Sequence, residues 1–148
     1  MRKILEKVDF VNRYQKICEK YNDYENSMSG SDKKKYLEIL NSINDEVSYS
    51  SKDRTFKYSF KYKNCILDMI LTMHNGMVET HLNYLKDDKW LMFNRFDGYA
   101  QELNPDFNRE IHNIPKYSSF KELENILREI FGIYEDIKKE LKRLNGDI

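Results

Sequence analysis

Three histidines, His74, His81 and His112, are the side chains of this 148-residue sequence best suited to bind a metal or move a proton near neutral pH. Two lie on either side of Asn75-Gly76, the strongest short signal for a two-residue β-hairpin turn, because both central residues of a type I′ turn need positive φ. That turn sets the register: His74 faces Met77, Thr72 faces Glu79, Ile70 faces His81 and Asp68 faces Asn83. His74 and His81 are then two same-face rows apart, roughly 14 Å at strand spacing, too far to share a zinc ion with ligands at about 2 Å. His81 and Asp68 are diagonal neighbours at about 7–8 Å, within reach of one hydrogen bond. A solvated or binding surface explains the His74, Glu79, His81 and Asn83 face more simply than an acid–base site. His112 has no nameable partner.

Other chemistry is absent from the sequence. There is no GxSxG, phosphate-binding GxxxxGK[ST], GxGxxG or HExxH motif, and no Cys/His zinc spacing. The pairs Asp87-Asp88 and Glu135-Asp136 fall in a turn and on a helix surface, as solvated charges do. Cys18 and Cys65 lack CxxC spacing and read as free thiols of a reducing compartment. No catalytic residue, metal or cofactor is expected.

Two segments could carry recognition. Residues 54–63 interleave Arg54, Lys57, Lys61 and Lys63 with Phe56, Tyr58, Phe60 and Tyr62. Cations beside rings grip single-stranded nucleic acid, but strand alternation sends these two kinds to opposite faces. An edge strand with rings inward and lysines outward is the plainer reading. Residues 90–96, Trp90-Leu91-Met92-Phe93-Asn94-Arg95-Phe96, combine types favoured at interface hot spots. They also look like a core strand, which we take first, with Arg95 as the exposed member.

The elements that position these residues follow from periodicity. Residues 3–26 predict one helix, with Ile4, Val8, Val11, Tyr14, Cys18 and Tyr21 on one face. Ser31 is the expected N-cap of a second helix reaching Val47, with Tyr36, Leu40, Ile43 and Val47 as its seam. Residues 48–53 read as a polar loop. Strands are expected over 55–62, 65–74, 77–86 and 90–96, and a short fifth over 99–103 after a turn at Asp97-Gly98. Residues 104–118, with both prolines, read as a long loop. Ser119 and Glu122 form a capping box opening a helix to Leu144. Its seam, Leu123, Leu127, Ile130, Tyr134, Ile137, Leu141 and Leu144, spaces like a coiled coil. It serves either a homodimer through helix 119–144 or, as is commoner, the chain's own sheet. The expected fold is α+β in a single domain over 1–148: two N-terminal helices, an antiparallel four- or five-stranded meander, and a long C-terminal helix packed on the sheet.

Composition narrows the function. Apolar residues are 40% and charged residues 34%, with 25 basic against 25 acidic side chains. No apolar run approaches the roughly 20 residues of a spanning helix, and no secretory leader is visible, so a cytoplasmic protein is expected. Zero net charge counts against a phosphate-neutralising nucleic-acid binder. Abundant Lys, Asn, Ile and Tyr fit an AT-rich bacterial or phage genome.

The run 65–96, with its Asn-Gly hairpin and Trp90 strand, then a Pro-containing loop and a C-terminal helix, resembles in layout the immunity proteins of bacterial polymorphic-toxin and contact-dependent inhibition systems. The resemblance covers residues 54–145 and carries no diagnostic motif. It implies a non-enzymatic protein that binds and neutralises a cognate toxin domain. The expected partner-binding residues are His74, Glu79, His81, Asn83, Arg95, Asp97, Tyr99 and Arg109. Two alternatives stand beside it: a nucleic-acid-binding accessory protein using Lys57, Lys61 and Lys63, and a small enzyme built on His81 and Asp68.

Overall fold

In the computed structural model, which describes residues 1–146, the Asn75-Gly76 hairpin forms in the expected register. Strand β3 (Cys65–His74) pairs antiparallel with β4 (Met77–Lys86), with His74 opposite Met77, Thr72 opposite Glu79, Ile70 opposite His81 and Asp68 opposite Asn83. Asn75 and Gly76 have φ of 49° and 72°, as a type I′ turn requires. Gly76 is needed twice over: a Cβ there would stand 2.5 Å from the Ser27 Cβ. The segment around Ser27 closes over the turn. Asn75 N–H donates to the Gly30 carbonyl at 2.9 Å, and Gly30 N–H to Asn75 Oδ1 at 2.9 Å.

The sheet is a five-stranded antiparallel meander in the order β1-β2-β3-β4-β5. Its outer members are β1 (Ser48–Ser50), β2 (Thr55–Tyr62) and β5 (Lys89–Arg95). One face is apolar by alternation: Phe56, Tyr58, Leu67, Met69, Leu71, Met73, Val78, Leu82 and Tyr84 are all buried. The helices pack there: α1 (Arg2–Lys7), α2 (Phe10–Lys20), α3 (Lys33–Ile43), α4 (Phe96–Leu103) and α5 (Phe120–Leu144). Helix α5 lies against the sheet centre. The Tyr134 hydroxyl donates to the Leu67 carbonyl at 2.9 Å, and the Phe131 and Tyr58 rings meet edge-on at 4.5 Å. Each large apolar side chain so buried contributes about 1.5–3 kcal/mol relative to exposure. No helix formed by the described residues is long and apolar enough to cross a membrane.

Several boundaries differ from expectation. The first helix breaks at Asp9, which takes φ of 57° and leaves Asp9 as the cap of α2; α2 then ends at Lys20 rather than near residue 26. Arg13 bridges the break, donating to the Val8 carbonyl at 3.2 Å and to Asp136 at 2.9 Å. Three helices therefore precede the sheet, not two. Asp32, not Ser31, caps α3 by accepting from Lys35 N–H at 3.0 Å, and α3 stops at Ile43 because the chain turns into β1. The fifth strand is β1; residues 99–103 are helical. Phe96, Tyr99, Ala100 and Leu103 follow 3.6-residue spacing, and the first three are buried. Asp97 and Gly98 sit in the first turn of α4, where Gly98 lies against the Asn94 side chain and a Cβ would overlap it.

The α5 cap uses its residues one position differently from a full box. Glu122 N–H donates to Ser119 Oγ at 3.1 Å, but the Glu122 carboxylate accepts from Ser118 N–H at 3.0 Å instead of from Ser119. Along α5 the seam from Leu123 to Leu141 is buried in the chain's own core, and only Leu144 is exposed. A homodimer through that seam would have to unpack the domain, so helix 119–144 offers no free coiled-coil face. The loop 104–118 is tied down: Val78 N–H donates to the Pro115 carbonyl at 3.1 Å and Tyr117 N–H to the Gly76 carbonyl at 2.7 Å.

Candidate functional site

The second face of the sheet carries no helix among the described residues. Read across the strands, one row runs Lys61, Ile66, Leu85, Trp90; the next Ser59, Asp68, Asn83, Phe93; the next Lys57, Ile70, His81, Arg95. Trp90, Leu91 and Phe93 are 54%, 57% and 71% exposed. The Trp90 and Phe93 rings meet edge-on at 6.3 Å. Half-buried Ile66, Ile70 and Leu85 continue the apolar surface inward, and exposed Lys57 and Lys61 stand on the β2 side. Among the described residues neither lysine has an ion-pair partner. Three large apolar side chains are thus left in water together on one strand, where their burial would be favourable.

A bulge creates the patch. The β4–β5 pairing shifts register between Tyr84 and Leu85, so that Leu85 faces Trp90 while Tyr84 faces Met92, leaving Leu91 unpaired. One extra residue turns every later side chain of β5 over. Phe93 and Arg95 consequently point away from the core, and Met92 toward it. Regular pairing back from the Asp87-Asp88 turn would have sent Phe93 inward, whereas the core reading of the strand rests on its run of apolar side chains. The core reading of Trp90, Leu91 and Phe93 is therefore corrected.

Beside the patch lies a charged cluster. Arg95 donates through Nε and Nη2 to both Asp97 oxygens, at 2.8 and 2.7 Å, and through Nη1 to Glu79 at 3.2 Å. Arg109 adds a bond from Nε to Asp97 Oδ2 at 2.9 Å. His81 Nδ1 stands 3.7 Å from Glu79. Burial by itself would push the Asp97 carboxyl up; the Arg95 and Arg109 hydrogen bonds and charges outweigh it and hold it below the ordinary carboxylate range. The hydrogen bonds to Asp97 likewise raise the Arg95 guanidinium. The cluster pins the β5–α4 corner and the loop carrying Arg109 to the sheet edge.

The structure thus joins Glu79, His81, Arg95, Asp97 and Arg109, and separates the others. Arg95 is clasped by two carboxylates rather than free. Asn83, Asp97 and Tyr99 are 2%, 1% and 3% exposed and cannot meet a partner without rearrangement. The Tyr99 hydroxyl is spent on the Leu82 carbonyl at 2.7 Å. His74 is exposed, but at the hairpin tip. Asp68 accepts from Ser59 Oγ rather than from His81. On β2, Phe56 and Tyr58 are buried and the lysines point out, so the rings and cations of that strand do not share a face. His112 lies 3.9 Å from Glu19. Burial pushes the Cys18 thiol up to about 12, and Cys65 is also buried. Among the described residues no group of three or more His, Cys, Asp or Glu side chains is placed to hold a metal ion. No protein-family profile, curated protein or solved structure matches the chain.

Proposed function

We propose that the chain is a protein-binding module that docks its partner on the open face of the sheet. One observation carries this reading: Trp90, Leu91 and Phe93, all more than half exposed, stand together on one strand of a rigid sheet. Tryptophan and other aromatic side chains are enriched at interface centres, where burial of a few anchors supplies most of the affinity. The surface is pre-formed by hydrogen-bonded strands, so little ordering entropy opposes binding. Lys57 and Lys61 favour a partner that brings an apolar centre and an acidic rim.

The narrower reading is an immunity protein that binds and neutralises a cognate bacterial toxin. It is supported by the α+β layout that resembles such proteins, and by a docking surface in a chain without a recognisable catalytic motif. The test is recovery of the tagged chain from its native cell, with the complex sized and its composition identified. A single protein at fixed stoichiometry, whose toxicity the chain suppresses on co-expression, supports the reading. Recovery with nucleic acid that leaves in high salt, or co-expression that does not relieve toxicity, contradicts it.

A further inference from the structure

A second site lies away from the open face, where the first turn of α3, the β1–β2 connection and the end of β3 enclose a cleft of about 400 Å³. That is the size of pockets that hold small ligands. Its walls are apolar and aromatic: Tyr36, Tyr49, Phe56 and Met73. Tyr49 and Phe56 meet at 4.8 Å between ring centroids.

Two cations from separate elements line the cleft as well. Lys33, which opens α3, holds its ammonium 4.1 Å from the centre of the Tyr49 ring, and Arg54 projects from the β1–β2 connection. Neither pairs with a carboxylate among the described residues. His74 lines the same cleft. Asp53 is the one acidic residue lining it, and it is turned to its own loop, accepting from Ser50 Oγ at 3.2 Å. The first turn of α3 carries Lys33, Lys34 and Lys35 and no acid, and the capping carboxylate of Asp32 is engaged with Lys35 N–H at 3.0 Å.

From the cleft, its aromatic walls and the Lys33–Arg54 pair together, we infer that this is a binding site for a small phosphomonoester carrying a flat ring, of nucleoside monophosphate size. The two cations suit a doubly charged phosphate better than a single carboxylate, because two positive charges match its two negative ones and its third oxygen stays free for solvent. The ring body packs on Tyr49, Phe56 and Met73. The apolar walls of the site, Phe56 and Met73, belong to the helix-covered face of the sheet, whereas Trp90 and Phe93 stand on the open one.

The test is calorimetric titration of the intact chain with AMP, GMP, CMP and UMP, and with adenosine and inorganic phosphate as part-ligands. At least one nucleotide is expected to bind, with adenosine and phosphate each at least roughly tenfold weaker. Lys33→Ala and Arg54→Asn should each weaken the nucleotide by roughly tenfold, the worth of one charged hydrogen bond; asparagine tolerates the left-handed backbone that Arg54 adopts at φ of 55°. Trp90→Ser with Phe93→Ser should leave nucleotide affinity unchanged. No binding by any nucleotide up to about 5 mM, phosphate alone binding as well as the nucleotide, or unaltered affinity in both cleft variants would overturn the assignment.

Discussion

Asp97 is the residue on which the corner between β5 and α4 turns. It is almost fully buried, yet it stays ionised because Arg95 and Arg109 close on it from two elements. Both guanidiniums reach water, so the cluster contributes less than a fully enclosed pair would. Asp97→Asn keeps the shape and loses the charge. It should lower stability at neutral pH by about 2 kcal/mol. The sign with pH follows from the depressed carboxyl: its contribution is complete above the unfolded value of about 3.9 and fades as pH falls through the lower folded value. Urea unfolding at pH 7 and again at pH 3 should therefore show the gap between wild type and variant narrowing in acid. A gap that is constant or widens would mean that the ion cluster does not hold the corner. The sequence named all five members of this cluster: Glu79 and His81 on the hairpin face, Arg95 on the strand after it, and Asp97 and Arg109 in the segment beyond. It could not reveal that Asp97 and Tyr99 point inward, because that depends on residues 96–103 being a helix, and five residues are too few to separate a period of two from one of 3.6.

At the scale of elements, the β3–β4 hairpin was legible to the last pair, because Asn-Gly dictates the turn and the turn dictates the register. The strand after it was not. The Leu91 bulge has no composition signal, and it alone decides that Phe93 and Arg95 face outward. It also blunts an edge strand that would otherwise invite uncontrolled pairing, with Lys89 at its start doing the same. Deleting Leu91 should restore regular pairing without moving the later pairs, since Tyr84 already faces Met92 and Asn83 faces Phe93; Phe93 and Arg95 should stay outward, and stability in urea unfolding should change by no more than about 1 kcal/mol. A loss of about 3 kcal/mol or more would show that Leu91 is more than the extra residue of a bulge. The hairpin tip offers an independent check. Gly76→Ala adds a Cβ into Ser27 and Met28 at positive φ, whereas Gly30→Ala, at φ of 79°, meets nothing within 4 Å. Left-handed backbone strain costs about 1–3 kcal/mol, so Gly30→Ala should lower the melting temperature modestly and Gly76→Ala by clearly more. Equal losses would mean that the 27–30 segment does not seat on the turn.

Over the whole molecule, the helices occupy one face of the sheet and leave the other to solvent, which follows from period-two strands with one apolar side. The general layout was readable from that pattern, as was the commitment of α5 to the chain's own core, since a seam of large aliphatic side chains needs a partner and the sheet supplies one. The position of the exposed aromatic patch was not readable, because it required the bulge at Leu91. Once the stoichiometric partner is purified, its titration against the wild-type chain and against Trp90→Ser/Phe93→Ser is the most direct measurement. Both positions are exposed, so the variant should melt within a few degrees of wild type. Loss of two central aromatic anchors should weaken binding by roughly a hundredfold or more. Equal affinity in a folded variant would contradict the open face as the docking surface.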